Sequence, residues 1–261
     1  MISNSTVLAF VFAAVFTLIL PIVILIILGV RKRISGLPLL LGAAAFFLSQ
    51  IVLRIPLLSA LSGLEWYRSF AEHYTIPLIL LISLSAGLFE ESARLGGAVM
   101  LKKHRSFKDI ISFGLGHAFC EVIILIGATH INNIVLCVTI NDTSGSLAAA
   151  LSPETLETAI TLLTEVNPAH VYLGLLERLS AVIFHIFAAV LVFTGVIQKK
   201  TRYYWIAILA HTVFNFAGVV IVRYAGIIAA KAALLVMALA AGCYILRVRK
   251  RMSAAQELAL G

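Results

Sequence analysis

The sequence predicts an all-α fold: a polytopic transmembrane helical bundle of about seven spans, forming a single domain over 1–261. Three observations predict it. Of the 261 residues, 61% are hydrophobic and only 12% are charged, and the mean hydropathy is +1.06, which excludes an ordinary soluble domain. The apolar residues gather into runs of about 20 or more, enough helix to cross a bilayer core. The basic residues gather at the ends of alternate runs, in the clusters Arg31–Arg33, Lys102–Lys108, Lys199–Arg202 and Arg247–Arg251. Those clusters hold fourteen of the 20 Lys and Arg. Basic residues mark the cytoplasmic side, so the N-terminus is expected outside and the C-terminus in the cytoplasm. The formal net charge of +8 then belongs to orientation and to anionic lipid, and no nucleic-acid partner is expected.

The spans in order are about 7–30, 37–61, 75–101, 110–138, 169–198, 203–222 and 225–246. The first has no basic residue before it and ends on Arg-Lys-Arg, which predicts a retained span and not a cleaved signal. Arg54, near the outer end of the second, is expected to snorkel to the interface. The connection 139–168 has no Lys or Arg. It opens on Asn-Asp-Thr-Ser-Gly and continues with Ser152-Pro153-Glu154, an N-cap and a first-turn proline that predict a short amphipathic surface helix over 153–165. Cys120, Cys137 and Cys243 lie in apolar runs with no CxxC spacing, as buried thiols do, and form neither a disulfide framework nor a zinc knuckle. The tail 252–261 is short, polar and expected to fray.

Against this apolar background the buried polar groups stand out. Glu90, Glu91, Glu121 and Glu177 lie within spans, with His117, His185, His211, Arg94 and Arg178. Unpaired, so many ionisable groups cost on the order of 15 kcal/mol or more, so they must face one another or water. Counting at about 1.5 Å per residue from each basic cluster places Glu91, Glu121, Asn215 and His185 about 17–21 Å deep, and His117 and His211 about 13 Å. Unrelated groups scatter over about 30 Å. Glu177 and Arg178 come out near 32 Å by the same rise, which leaves either a separate ion pair or a bent fifth span. His117 and Glu121 are four residues apart, as are His211 and Asn215, so three spans each offer a polar couple on one helical face: Glu-Glu-Arg, His-Glu and His-Asn. Gly114 and Gly116 let neighbouring spans come close.

A carboxylate beside a histidine, with a second histidine and an amide near, has the parts to activate water and hold an oxyanion. Glu90 or Glu91 takes a proton from water, His117 helps hold that water, and His211 and Asn215 donate to the oxyanion. Of two adjacent carboxylates one balances Arg94 and the other serves as base. No Ser or Cys stands in a nucleophile arrangement, which points to activated water and no required cofactor. Two alternatives use the same groups. One is a zinc site of His117, Glu121, His211 and a Glu of the third span, with HxxxE spacing in place of HExxH. The other is an ion or proton pathway in a transporter, which wants a polar route and usually a repeat, and neither is evident. Glu121 is expected to orient His117. His185 is expected as an interhelical hydrogen-bonding group or a member of the site.

Glu90-Glu91-x-x-Arg94, Phe113-x-x-x-His117 and His211-x-x-x-Asn215 resemble the three motifs of the CPBP group, the CAAX-processing and bacteriocin-processing intramembrane glutamic proteases. Gly-Leu-Gly-His117 followed by Glu121, Glu177-Arg178 with His185 downstream, and Lys-Lys-His-Arg after the Glu-Glu span resemble the bacterial YhfC family within it. The resemblance covers about 83–216, the expected catalytic core. It implies an intramembrane endopeptidase, multi-pass in a bacterial plasma membrane, acting on a membrane-associated peptide or protein. By resemblance Glu90 activates water with His117, and His211 and Asn215 form the oxyanion hole, in a cavity open to the cytoplasm or inner leaflet. The broader group spaces the pair as EExxxR. This chain has one residue fewer, which rotates Arg94 by about 100° and leaves open which carboxylate it neutralises.

Overall fold

A computed structural model describes residues 1–142, 145, 149 and 151–258. The helices are α1 (Asn4–Val30), α2 (Gly36–Phe46), α3 (Ile55–Ser62), α4 (Glu65–His73), α5 (Thr75–Met100), α6 (Phe107–Glu121), α7 (Ala128–Asn141), α8 (Pro153–Thr164), α9 (Pro168–Gln198) and α10 (Arg202–Leu258). Two π-helical stretches, Phe47–Arg54 and Val122–Gly127, join α2 to α3 and α6 to α7 without a break. Among the described residues six helical segments are long and apolar enough to cross a membrane, among them Gly36–Ser62 and Phe107–Asn141, which carry the π stretches inside them. The protein is a multi-pass helical membrane protein.

The expected sixth and seventh spans both fall within α10, as two helices meeting at a kink. They are divided at Gly226, whose φ of 84° and ψ of 170° are not helical. Only glycine adopts that backbone at little cost. The surface helix predicted over 153–165 is α8. Its Ser152 hydroxyl accepts from the backbone N–H of Thr155 at 3.2 Å, the N-cap bond its sequence announced. Thr143 and Ser144 of that connection, and 259–261 of the tail, lie outside the described residues. In the part of the tail described, α10 continues to Leu258. The amphipathic α4, with Trp66, Tyr67 and Phe70, had no counterpart among the expected elements.

The described residues group into two compact units. The first combines Met1–Ile27 with Val122–Arg178. Its core is Ile2, Phe10, Cys137 and Leu163. Asn141 closes it, accepting from the Ile2 N–H at 2.7 Å and donating to the Ile2 carbonyl at 3.0 Å.

The second combines Leu28–Glu121 with Leu179–Gly261. One cluster of its core packs Ile110 and Phe113 of α6 against Val190–Phe193 of α9, with the Phe113 and Phe193 rings 5.3 Å apart. A second cluster gathers Phe184, Phe214 and Leu234. Helices α2 and α6 touch backbone to backbone. A Cβ on Gly116 would meet the Leu39 carbonyl, and one on Gly42 would meet the Phe113 carbonyl. Small residues permit that approach, and in lipid close packing replaces hydrophobic exclusion as the force between helices.

Candidate active site

The buried positions of α5 are Ser83, Ala86, Gly87, Glu90, Glu91, Arg94, Gly97 and Ala98. They recur every three or four residues, so one narrow stripe faces inward. Small residues occupy most of it, and the polar triplet lies in its middle. Gly87 fixes the distance to α10: a Cβ there would lie 2.9 Å from the Ile208 carbonyl oxygen and 3.1 Å from the Thr212 hydroxyl. Gly114 does the same for α6 and α9, with Ile186 Cα 2.8 Å from where its Cβ would be. The stripe thus meets His211 of α10, His117 of α6 and His185 of α9, all within the second unit. Glu90, Glu91, Arg94, His117, His185 and His211 are all buried.

Three carboxylate–imidazole pairs hold this cluster, each joining two different helices. Glu90 Oε2 lies 2.8 Å from His117 Nε2, Glu91 Oε1 lies 2.8 Å from His211 Nδ1, and Glu121 Oε2 lies 2.7 Å from His185 Nε2. Of the expected couples along single helices Glu91 with Arg94 is present, while His117 and Glu121 each pair with a residue of another helix. Glu121 lies against His185 and not His117, which differs from the sequence expectation. The reason is geometric: a group buried at a helix contact is satisfied best by the helix opposite, and each such pair also ties two spans together.

Arg94 answers the question its spacing left open. Its Nε donates to Glu91 Oε2 at 2.9 Å, both side chains fully buried, and its Nη1 donates to the His185 carbonyl at 3.0 Å. Glu91 is the neutralised carboxylate. Among the described residues no guanidinium contacts Glu90. Its Oε1 accepts from Gln50 Nε2 at 2.7 Å and lies 3.7 Å from His211 Nε2. Glu90 Oε2 and His117 Nε2 are 2.8 Å apart, hydrogen-bonding distance whichever of the two carries the proton. Phe46 packs edge-on to His117 at 5.3 Å and Phe184 edge-on to His211 at 5.4 Å, giving the cluster apolar walls.

Asn215 lies one turn beyond His211 on α10, half-buried and outside the hydrogen-bonded cluster. Glu177 and Arg178 pair with one another within the first unit. Two groups of the second unit escaped sequence reasoning. Gln50 was not singled out, and Arg54, expected to snorkel, instead points inward to Gln50. A polar residue in an apolar run with an arginine four residues later was the available signal.

Among the described residues Glu90, His117 and His185 could hold a metal ion, with one ligand atom from each within 4.8 Å of the others. The expected set had Glu121 and His211 where this one has His185. The donor types suit zinc, and Glu121 behind His185 is the support that metal-binding imidazoles usually have. The same nitrogens already face a cation: Arg94 Nη2 lies 3.2 Å from His117 Nε2 and 3.3 Å from His185 Nδ1. An ion about 2 Å from those nitrogens would lie close against a buried guanidinium, with little water to screen the two charges. As arranged, the site fits Arg94 and not a metal ion.

The profile of a family described as YhfC intramembrane metalloprotease matches residues 16–240. The "Uncharacterized membrane protein YhfC" of Bacillus subtilis (strain 168) is 32% identical over 145 residues, covering 54% of this chain and 55% of that protein. The chain thus spans about half the length of that relative. No solved structure matches the chain.

Proposed function

This chain belongs to the YhfC family, and from that premise we propose that it is an intramembrane peptidase in which Glu90 activates the attacking water. The observation that carries the reading is the unequal setting of the adjacent carboxylates. Arg94 neutralises Glu91. Glu90, 2.8 Å from His117 Nε2 and without a guanidinium contact among the described residues, is the carboxylate to which this reading gives the proton transfer.

In the reaction, water between Glu90 and the substrate gives a proton to the Glu90–His117 pair as its oxygen attacks the scissile carbonyl. His211, whose Nδ1 is held by Glu91, donates from Nε2 to the oxyanion when the ring carries both protons, and Asn215 supplies a second donor. Collapse of the intermediate breaks the C–N bond, and the pair returns the proton to the leaving amine. The substrate this reading calls for is a membrane-associated peptide or protein.

The test is cleavage of membrane peptides by purified protein in proteoliposomes, read by mass spectrometry. Glu90→Gln, His117→Ala and His211→Ala each abolish it while leaving the protein folded. Retention of activity by all three overturns the proposal.

A second reading, zinc held by Glu90, His117 and His185, draws on the family's description and the donor set. It requires Arg94 to withdraw from the two imidazoles. Zinc would then polarise the scissile carbonyl or lower the pKa of bound water. Bound zinc measured in purified protein, with chelator-sensitive activity that added zinc restores, selects this reading.

A further inference from the structure

The second span is interrupted by the π-helical stretch Phe47–Arg54, and such insertions re-aim side chains and recur at functional sites. This one turns two polar residues inward. Gln50 is 3% exposed, and its amide is used at both ends: Nε2 donates to Glu90 Oε1 at 2.7 Å, and Oε1 accepts from Arg54 Nη1 at 2.9 Å. Arg54 is itself clamped to α5, with Nε donating to the Ser85 hydroxyl at 2.9 Å and Nη2 to the Ile82 carbonyl at 2.8 Å.

Resting on the peptidase reading, we propose that Gln50 is a positioning residue for the Glu90 carboxylate, and that Arg54 sets the direction of its amide. An amide presents two nearly isosteric ends. With Arg54 fixed by Ser85 and Ile82, only one orientation is tolerated. Reversed, the amide would press its oxygen on a carboxylate and its NH2 on a guanidinium. The guanidinium therefore makes Gln50 a donor toward Glu90 and holds that carboxylate's unshared oxygen, leaving Oε2 to His117. The arrangement contrasts with Glu91, where Arg94 binds directly. Interposing a neutral amide aligns Glu90 without placing a fixed positive charge on it, and a proton-transferring carboxylate needs that freedom.

The test compares wild type with Gln50→Met, Arg54→Met, Arg54→Lys and the double Met variant in proteoliposomes. Gln50→Met lowers kcat about tenfold to a hundredfold with KM nearly unchanged. Arg54→Met does the same, and the double variant is no worse than the poorer single, because both break one chain of contacts. Arg54→Lys, which still donates to the Gln50 oxygen, recovers most of the rate. A second readout needs no hydrolysis: the infrared carboxylate band of Glu90, assigned by its loss in Glu90→Gln, shifts in Gln50→Met and in Arg54→Met. Full kcat together with an unmoved band in Gln50→Met overturns the proposal, and so do losses that multiply in the double variant. A band that shifts in Gln50→Met, with a wild-type protein that cleaves no peptide, leaves the Gln50–Glu90 link standing and removes the peptidase reading instead.

Discussion

Glu90 and Glu91 are neighbours in the chain with different electrostatic surroundings. One buried carboxylate is locked to Arg94, and the other is bounded by an amide and an imidazole. Substituting them should therefore have different consequences. Glu90→Gln removes the proton acceptor and keeps the shape, so turnover in proteoliposomes falls at least about a hundredfold while the unfolding midpoint in detergent stays near wild type. Arg94→Ala leaves the fully buried Glu91 without its partner, and breaking such a pair costs about 3–5 kcal/mol. Its readout is a lowered unfolding midpoint, with or without substrate. A stable Arg94→Ala protein would mean that Glu91 finds another counter-charge in the cluster. His185 belongs at this scale too. Its Nε2 is fixed by Glu121, which leaves Nδ1 toward Arg94, so Glu121→Gln should disturb His185 before His117.

The elements place these groups by close approach and by irregularity. The contact of α2 with α6 depends on Gly42 and Gly116, where any Cβ would enter a facing carbonyl. Gly116→Val should separate the two helices and cost more than the 1–3 kcal/mol roughly typical of overpacking, seen as loss of folded protein on extraction. Gly226 is a different kind of glycine. A Cβ there meets nothing within 4 Å, but the backbone sits at φ 84°. Gly226→Ala should therefore cost about 1–3 kcal/mol through the backbone alone, and a thermal melt checks it. The π stretches are the irregularities that matter. Each adds to its turn the extra residue that an i→i+5 bond encloses, so side chains beyond it no longer fall where a 3.6-residue period puts them. Gln50 and Arg54 lie inside one such stretch. Glu121 is the last residue before the other.

For the whole molecule the charge pattern makes a prediction of its own. A reporter fused after Leu258 should read as cytoplasmic, and one inserted in the connection before Ser152 as external. The opposite pair of results would reverse the assigned orientation. The sequence alone determined the helical class, the surface helix at Pro153–Thr164 and the identity of most cluster members. It could do so because lipid leaves a chain few ways to satisfy its backbone, and because a charge in an apolar run is costly enough to be conspicuous. Only the tertiary structure decided who pairs with whom. Glu121 went to His185 and not to His117, Arg94 chose Glu91, and Gln50 entered the cluster. Those choices depend on the rotation of each helix about its axis. Glycine contacts and π turns set that rotation, and a regular helical period read along one chain contains neither.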